Sequence, residues 1–141
     1  MANHGLITIA LVLSITAITE AAAQPRPSLH ETVIPLTNVA ITNMPGKRLV
    51  SIMVQYPPGA KSLPHRHAAS AFIYAYVLSG EIRSAVEGEP ARIYRAGESW
   101  IENPGAHHVL SENVSQTQPA RLLAVFVVDE KGDQLTTPDP Q

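Results

Sequence analysis

The sequence contains no cysteine among its 141 residues. Disulfides, thiolate metal ligands, thiol nucleophiles and cysteine-linked lipid anchors are therefore excluded, and any metal ion must bind to nitrogen and oxygen atoms. The absence names no compartment, because an exported domain with an adequate core needs no disulfide.

The sequence also lacks an excess of charge of either sign. Ten Lys and Arg residues against twelve Asp and Glu residues give a formal net charge of −2, with no basic run longer than two residues. This distribution argues against the electrostatic footprint of a protein that binds nucleic acid or an anionic membrane. We expect a small-molecule substrate or ligand instead.

Long helical patterns are missing as well. Twelve prolines and eight glycines lie between short runs rich in Val, Ile, Tyr and Leu. These runs cover residues 32–36, 39–42, 48–56, 72–78, 81–86, 92–94, 99–102, 108–111 and 121–128. Many short strands separated by turn residues indicate an all-β sandwich or barrel, and a parallel sheet with crossover helices is disfavoured.

Residues 1–23 have the order of a secretory signal peptide. An apolar run over residues 5–18 precedes Ala21-Ala22-Ala23, which fits an A-x-A cleavage site. Glu20 ends the run before about 18 apolar residues have accumulated, which disfavours the alternative of an uncleaved membrane anchor. We expect an exported protein, periplasmic or secreted, with no membrane association after cleavage. Its predicted parts are a leader (residues 24–31), one domain (32–130) and a polar, flexible tail (131–141).

Histidine gives the main chemical signal. Four of the six histidines form two pairs, His65/His67 and His107/His108. Pro64 favours an extended backbone, and residues two apart in a strand point to the same face. His65 and His67 are therefore expected side by side, as part of a site for a transition metal. On its own, the pattern also fits two exposed histidines on an edge strand.

Two segments resemble the sequence motifs of the cupin superfamily. GAKSLPHRHAASAFIYAYVLSG (residues 59–80) is similar to the first motif, in which Gly-x5-His-x-His leads into a strand that ends in a Tyr-Val-Leu-x-Gly turn. GESWIENPGAHHVLSEN (residues 97–113) is similar to the second motif, Gly-Glu followed by Pro-Gly-x-x-His. The resemblance implies a small single-domain cupin, with a double-stranded β-helix, or jelly-roll, barrel.

The same resemblance implies that His65, His67 and His108 hold one divalent transition-metal ion. Alignment on the Pro-Gly pair of the second motif places His108 at the third histidine of the family. Neighbouring residues of a regular strand point to opposite faces, so His107 is expected outside the ligand set. It is interpreted as a proton-transfer residue near the mouth of the barrel or as an exposed histidine.

The chain departs from the family pattern at the fourth ligand, a glutamate of the first motif. Ala71, Phe72 and Ile73 occupy every reasonable alignment of its position, and Ile73 is favoured. A neutral three-histidine site weakens the preference for manganese, so iron(II), nickel, copper or zinc is expected. Other side chains offer an alternative oxygen ligand, namely Tyr74, Tyr76 or Glu102.

The candidate catalytic residues are Glu102, Tyr76 and His107. Glu102 shares a face with Trp100, which suits a general acid or base in the cavity; a rim carboxylate beside a core tryptophan is the alternative. Tyr76 shares a strand face with Tyr74. It is interpreted either as a catalytic group or as part of an aromatic stripe in the core or at an interface. A carboxylate substrate would need two converging arginines, from among Arg66, Arg83, Arg92 and Arg95.

Three functions remain open from the sequence. The first is a metal-dependent enzyme, an oxidoreductase of the dioxygenase type that acts on a small molecule. The second is a cupin that binds a metal or a small ligand without turnover. The third is a structural barrel whose main property is dimerisation. Cupin barrels commonly pair through edge strands, so a homodimer is expected.

Overall fold

The computed structural model describes residues 29–132 and 134–140, so the predicted signal peptide lies outside the described residues. Ten strands follow one another: β1 (Thr32–Ala40), β2 (Lys47–Tyr56), β3 (His65–His67), β4 (Phe72–Ser79), β5 (Glu81–Val86), β6 (Arg92–Arg95), β7 (Ser99–Glu102), β8 (His107–Asn113), β9 (Ala120–Asp129) and β10 (Thr136–Pro138). Within these two ranges there is no helix with the length and apolar character needed to cross a membrane.

The strands form two five-stranded sheets. The first sheet has the order β1-β2-β9-β4-β7, and the second has the order β10-β3-β8-β5-β6. All pairings between these strands are antiparallel. The predicted all-β jelly roll is therefore confirmed.

The core lies between the inner faces of the sheets. In β4, Ile73, Ala75 and Val77 are buried, whereas Phe72 and Tyr74 are exposed, because successive side chains of a strand point to opposite faces. One cluster of the core lies around Val77, Ile82 and Leu122. A second cluster surrounds Ile73, Phe126 and Val128, and Phe126 in this cluster packs against the ring of His67.

Gly80 lies where the chain leaves the first sheet at β4 and enters the second at β5. Its φ of +76° is a conformation that residues with a Cβ rarely adopt. A Cβ at this position would also lie 2.7 Å from the Cβ of Ala120. The Tyr-Val-Leu-x-Gly turn of the first motif therefore needs its glycine to bring β4 and β5 into facing sheets.

The C-terminal segment contains a strand that the sequence analysis did not predict. β10 pairs with β3, and Thr136 is the register partner of His67. The segment is short and mostly polar, so it has no apolar alternation by which a strand is recognised. It places part of the predicted tail beside the histidines.

β1 is one continuous strand where the sequence predicted two runs. A register shift between Pro35 and Thr37 bends it while its pairing with β2 continues on both sides. The strand forms an edge of the first sheet and exposes Val33, Leu36 and Val39. The homodimer expected from edge-strand pairing stays a prediction.

Candidate metal centre

β3 and β8 bring three imidazoles together. His65 and His67 share one face of β3, with the exposed Arg66 between them on the other face. His65 is the register partner of His108 on β8. The ring centroids are 4.8 Å apart for His65 and His67, 5.2 Å for His65 and His108, and 5.9 Å for His67 and His108. One nitrogen atom from each ring lies within 4.8 Å of the other two, which suits a shared metal ion.

Backbone carbonyls orient the two imidazoles of β3. Nδ1 of His65 lies 2.8 Å from the carbonyl oxygen of Leu63, and Nδ1 of His67 lies 3.4 Å from that of Leu135. A carbonyl only accepts, so Nδ1 donates in both contacts and Nε2 is the ring atom available to bind an ion. This is how proteins commonly fix the tautomer of histidines that bind metals.

His108 is held by a hydroxyl. Oγ of Ser84 on β5 lies 2.8 Å from Nε2 of His108, and both side chains are buried. A hydroxyl either donates or accepts a hydrogen bond, so this contact fixes the ring without deciding its tautomer. Ser84 is a site residue that the sequence analysis missed, because a lone serine inside a strand carries no recognisable signal.

Burial keeps the imidazoles of His65 and His108 in their neutral form. Loss of solvent lowers the pKa of His108 to about 4, and it also lowers the pKa of His65. Both rings are therefore uncharged at neutral pH. Neutral imidazole is the form that binds a metal ion.

A buried carboxylate completes the group. Glu102 at the end of β7 is only 3% exposed. Its Oε2 lies 2.9 Å from Nε2 of His67, and its Oε1 lies 3.4 Å from Nδ1 of His108. Trp100 donates a hydrogen bond of 2.9 Å from Nε1 to Oε1. Burial raises the pKa of Glu102, but its contacts with His67, His108 and Trp100 outweigh burial and hold it below the usual value.

The burial and the contacts of two side-chain atoms indicate a cation site independently of the family resemblance. Nε2 of His67 and Oε2 of Glu102 are both buried, and among the described residues each of them faces only the other, at 2.9 Å. Buried polar atoms in folded proteins nearly always have several partners, so two ligand atoms that are shut off from every other polar group need an explanation. A metal ion bound by these atoms would supply one, since it accepts a lone pair from each.

The imidazoles form part of the wall of a cavity of about 720 Å³ between the two sheets. Most of the wall is apolar and comes from the first sheet, including Val50, Ile52, Ile73 and Phe126. β10 and Leu135 close one side. Among the described residues, no lysine or arginine lines the cavity, and its acidic side chains are Glu31 and Glu102.

Two of the predicted catalytic residues lie away from the cavity. Tyr76 is on the outer face of β4, where its ring stacks on that of Tyr74 with the ring centroids 6.5 Å apart. His107 lies on the opposite face of β8 from His108, as strand parity predicts, with Nε2 2.7 Å from Oδ2 of Asp139. Neither side chain lines the cavity, so neither is placed to contact a molecule bound there. Glu102 does line the cavity.

The four arginines considered for a carboxylate substrate do not converge. Three of them pair with acidic side chains outside the cavity, in the pairs Arg66–Glu87, Arg83–Glu112 and Arg95–Glu81. The fourth, Arg92, lies over the ring of Tyr94 at 5.2 Å. The part of the cavity wall that the structure describes therefore contains no arginine clamp for a carboxylate.

Comparison with known proteins gives similar folds. The chain is 26% identical to oxalate oxidase in complex with the substrate analogue glycolate, with a TM-score of 0.60, over 79% of this chain and 58% of that chain. It is 26% identical to the DMSP lyase DddQ from Ruegeria pomeroyi DSS-3, with a TM-score of 0.52, over 66% and 45% of the two chains. A cupin with a double-stranded β-helix fold from Methanocaldococcus jannaschii is 15% identical, with a TM-score of 0.56 over 81% and 94%, and shows the fold alone.

No match was found among curated proteins. The chain spans 58% of the length of the oxalate oxidase chain, so the similarity covers only part of that protein. The cupin domain family matches residues 52–126, which is more than half of the sequence and includes all three histidines. The chain therefore belongs to the cupin domain family.

Proposed function

We propose that this chain is a metal-dependent enzyme that acts on a small, largely apolar molecule with oxygen donor atoms. The observation that carries the proposal is the convergence of three imidazoles on the wall of a cavity of about 720 Å³. A metal ion beside a cavity of this size has room for a substrate, whereas a purely structural ion needs none.

His65, His67 and His108 would hold the ion. When bound, the ion supplies Lewis-acid activation of a substrate oxygen and, if it is iron, nickel or copper, chemistry with O₂. Three imidazoles suit these metals and zinc. We therefore propose an oxidoreductase of the dioxygenase type.

The cavity wall defines the class of substrate. Its apolar side chains exclude water from a bound molecule, and the described wall offers no lysine or arginine to neutralise an anion. A dianion would meet two carboxylates, Glu31 and Glu102, so a neutral molecule or a monoanion fits better. The similarity to an oxalate oxidase chain that binds glycolate supports a small oxygenated ligand.

Tyr56 contributes shape to the cavity and is not placed to donate a proton. Its hydroxyl lies 2.8 Å from the hydroxyls of Ser62 and Ser111. Burial raises the pKa of Tyr56, which outweighs these hydrogen bonds. The described cavity wall is therefore poor in groups that can move a proton, and this observation favours a second candidate, a cupin that binds a ligand without turnover.

Oxygen consumption separates the two candidates. The metal-free protein is loaded with one equivalent of iron(II), nickel, copper or zinc and mixed with β-diketones, flavonols, thiols or oxalate. We expect O₂ uptake with at least one neutral or monoanionic substrate, and its loss in His65→Ala and His108→Ala. Metal-loaded protein that binds these molecules without consuming O₂ or forming product would contradict the proposal and favour the binding function.

A further inference from the structure

We propose that Glu102 is the fourth protein ligand of the ion held by the three histidines, and that β7 thus supplies the carboxylate that the first motif lacks. The proposal rests on the proposed function only for the presence of a metal, and it does not require turnover. The sequence suggests two roles for Glu102, an oxygen ligand and a general acid or base, and the proposal assigns it the first.

The register of β4 against β7 places Glu102 next to the family's usual ligand position. Ile73 occupies the favoured position of the family's glutamate, and it is the direct cross-strand partner of Glu102. Side chains that face each other across an antiparallel pair leave the same side of the sheet, with Cβ atoms about 4.5–5.5 Å apart. Both side chains are buried and line the cavity. A glutamate on β7 can therefore reach the region that a glutamate at position 73 would reach.

The distance between a nitrogen of His67 and an oxygen of Glu102 suits two ligands of one ion. Nε2 of His67 and Oε2 of Glu102 are 2.9 Å apart and are buried. Two ligand atoms bound to one ion at about 2.1 Å and at right angles are roughly 3.0 Å apart. Apart from each other, the two atoms have no polar partner among the described residues, and their separation fits two ligands of one cation.

A hydrogen bond from Trp100 orients the carboxylate of Glu102. Trp100 donates its Nε1–H to Oε1 of Glu102, which leaves Oε2 directed at His67. The indole is itself fixed, because its ring packs on Tyr94 with centroids 4.5 Å apart and against the core. Trp100 is thus a positioning residue, comparable with the outer partners that orient metal ligands in other proteins.

A carboxylate in the ligand set changes the expected metal. Three neutral imidazoles leave the full charge of the ion in place, whereas Glu102 neutralises one unit and adds a hard oxygen donor. Hard donors raise the relative affinity for manganese and iron(II). The preference against manganese that follows from three histidines alone is therefore reduced.

Metal titration of the metal-free chain tests the assignment. We expect Glu102→Gln to weaken Mn²⁺ binding by about 100-fold or more, and Ni²⁺ binding by a smaller factor, because Ni²⁺ depends more on the imidazoles. Glu31→Gln is the matched control, since it removes the other carboxylate of the cavity wall. It should leave both affinities within about three-fold. The visible absorption of the Co²⁺-loaded protein should change in Glu102→Gln and stay unchanged in Glu31→Gln.

Trp100→Phe is a second variant in case Glu102→Gln does not fold. It removes the donor to Oε1 and should weaken Mn²⁺ binding by about ten-fold, with the Co²⁺ spectrum of the unmodified protein retained. Affinities in Glu102→Gln within three-fold of the unmodified chain would overturn the proposal, as would an unchanged affinity in Trp100→Phe. A chain that binds no first-row ion would overturn both this proposal and the proposed function. Metal binding that depends on Glu102 without any turnover would contradict the proposed function alone.

Discussion

Ile73 on β4 and Glu102 on β7 face each other across the first sheet, and both side chains line the cavity beside His67. The chain carries an apolar residue where the first cupin motif usually has a glutamate, and a glutamate on the neighbouring strand. The two positions are 29 residues apart in the sequence but adjacent in the sheet. Exchanging the two side chains therefore tests whether metal binding needs only a carboxylate in this region or needs it at position 102.

The double variant Ile73→Glu/Glu102→Ile moves the carboxylate to the family's usual position. We expect it to bind Mn²⁺ at least about ten-fold more tightly than Glu102→Ile alone, because the side chain at position 73 reaches the same region. Isothermal titration calorimetry of the metal-free proteins measures the difference. Equal affinities in the double and single variants would show that position 73 cannot replace position 102.

Phe126 should contribute strongly to the stability of the core beneath His67. It is 2% exposed, and its ring lies 5.9 Å from that of His67. Phe126→Ala should lower the free energy of unfolding by about 3–5 kcal/mol, because it leaves a cavity in a packed core. Ile101→Ala is the control, since Ile101 is 57% exposed and should change stability by about 0.5 kcal/mol or less. Urea unfolding of the two metal-free variants would refute the expectation if their losses were equal.

The C-terminal strand should contribute to metal retention. β10 pairs with β3, and the carbonyl of Leu135 accepts from Nδ1 of His67. A chain that ends at Gly132 should release Ni²⁺ about ten-fold faster, because His67 loses the group that orients it. Thr137→Ala keeps the backbone of β10, and its side chain is exposed, so it should retain the ion normally. Chelator-chase kinetics measure both rates, and equal rates would mean that β10 has no role.

Tyr56 should make stability depend on alkaline pH. Its hydroxyl contacts the hydroxyls of Ser62 and Ser111. Tyr56→Phe should lower the free energy of unfolding by about 1–2 kcal/mol near pH 8, because both serines lose a hydrogen-bond partner. Burial raises the pKa of Tyr56 above 10.0 in the folded state, so the unfolded chain loses its proton first. The contribution of Tyr56 is therefore complete below pH 10 and is lost as pH rises through the folded pKa. Unfolding free energies of the two proteins should converge above pH 10, and a constant difference would contradict this explanation.

Most of the fold could be predicted because its strands carry strong local signals. Apolar β-branched runs mark β2 and β9, and the prolines and glycines between runs mark turns. β10 could not be predicted, because three residues held mainly by pairing with β3 have no pattern of their own. The continuity of β1 through Pro35 was missed for a similar reason, since the bulge depends on β2.

The histidine site was predictable from strand parity together with the motifs, and parity also separates His108 from His107. Parity did not identify the outward direction of Tyr76, because both faces of β4 are apolar or aromatic and either face could be the inner one. The closeness of Glu102 to His67 depends on the register of β7 against β4. Register is a property of two distant segments, so no single stretch of sequence reveals it.

Anomalous diffraction from crystals of the nickel-loaded chain would show whether His65, His67 and His108 bind one metal ion inside the barrel. We expect a single strong peak within about 2.0–2.2 Å of one nitrogen atom of each of the three imidazoles. A peak at His107 and Asp139 instead, or no ordered peak within reach of the three rings, would contradict it.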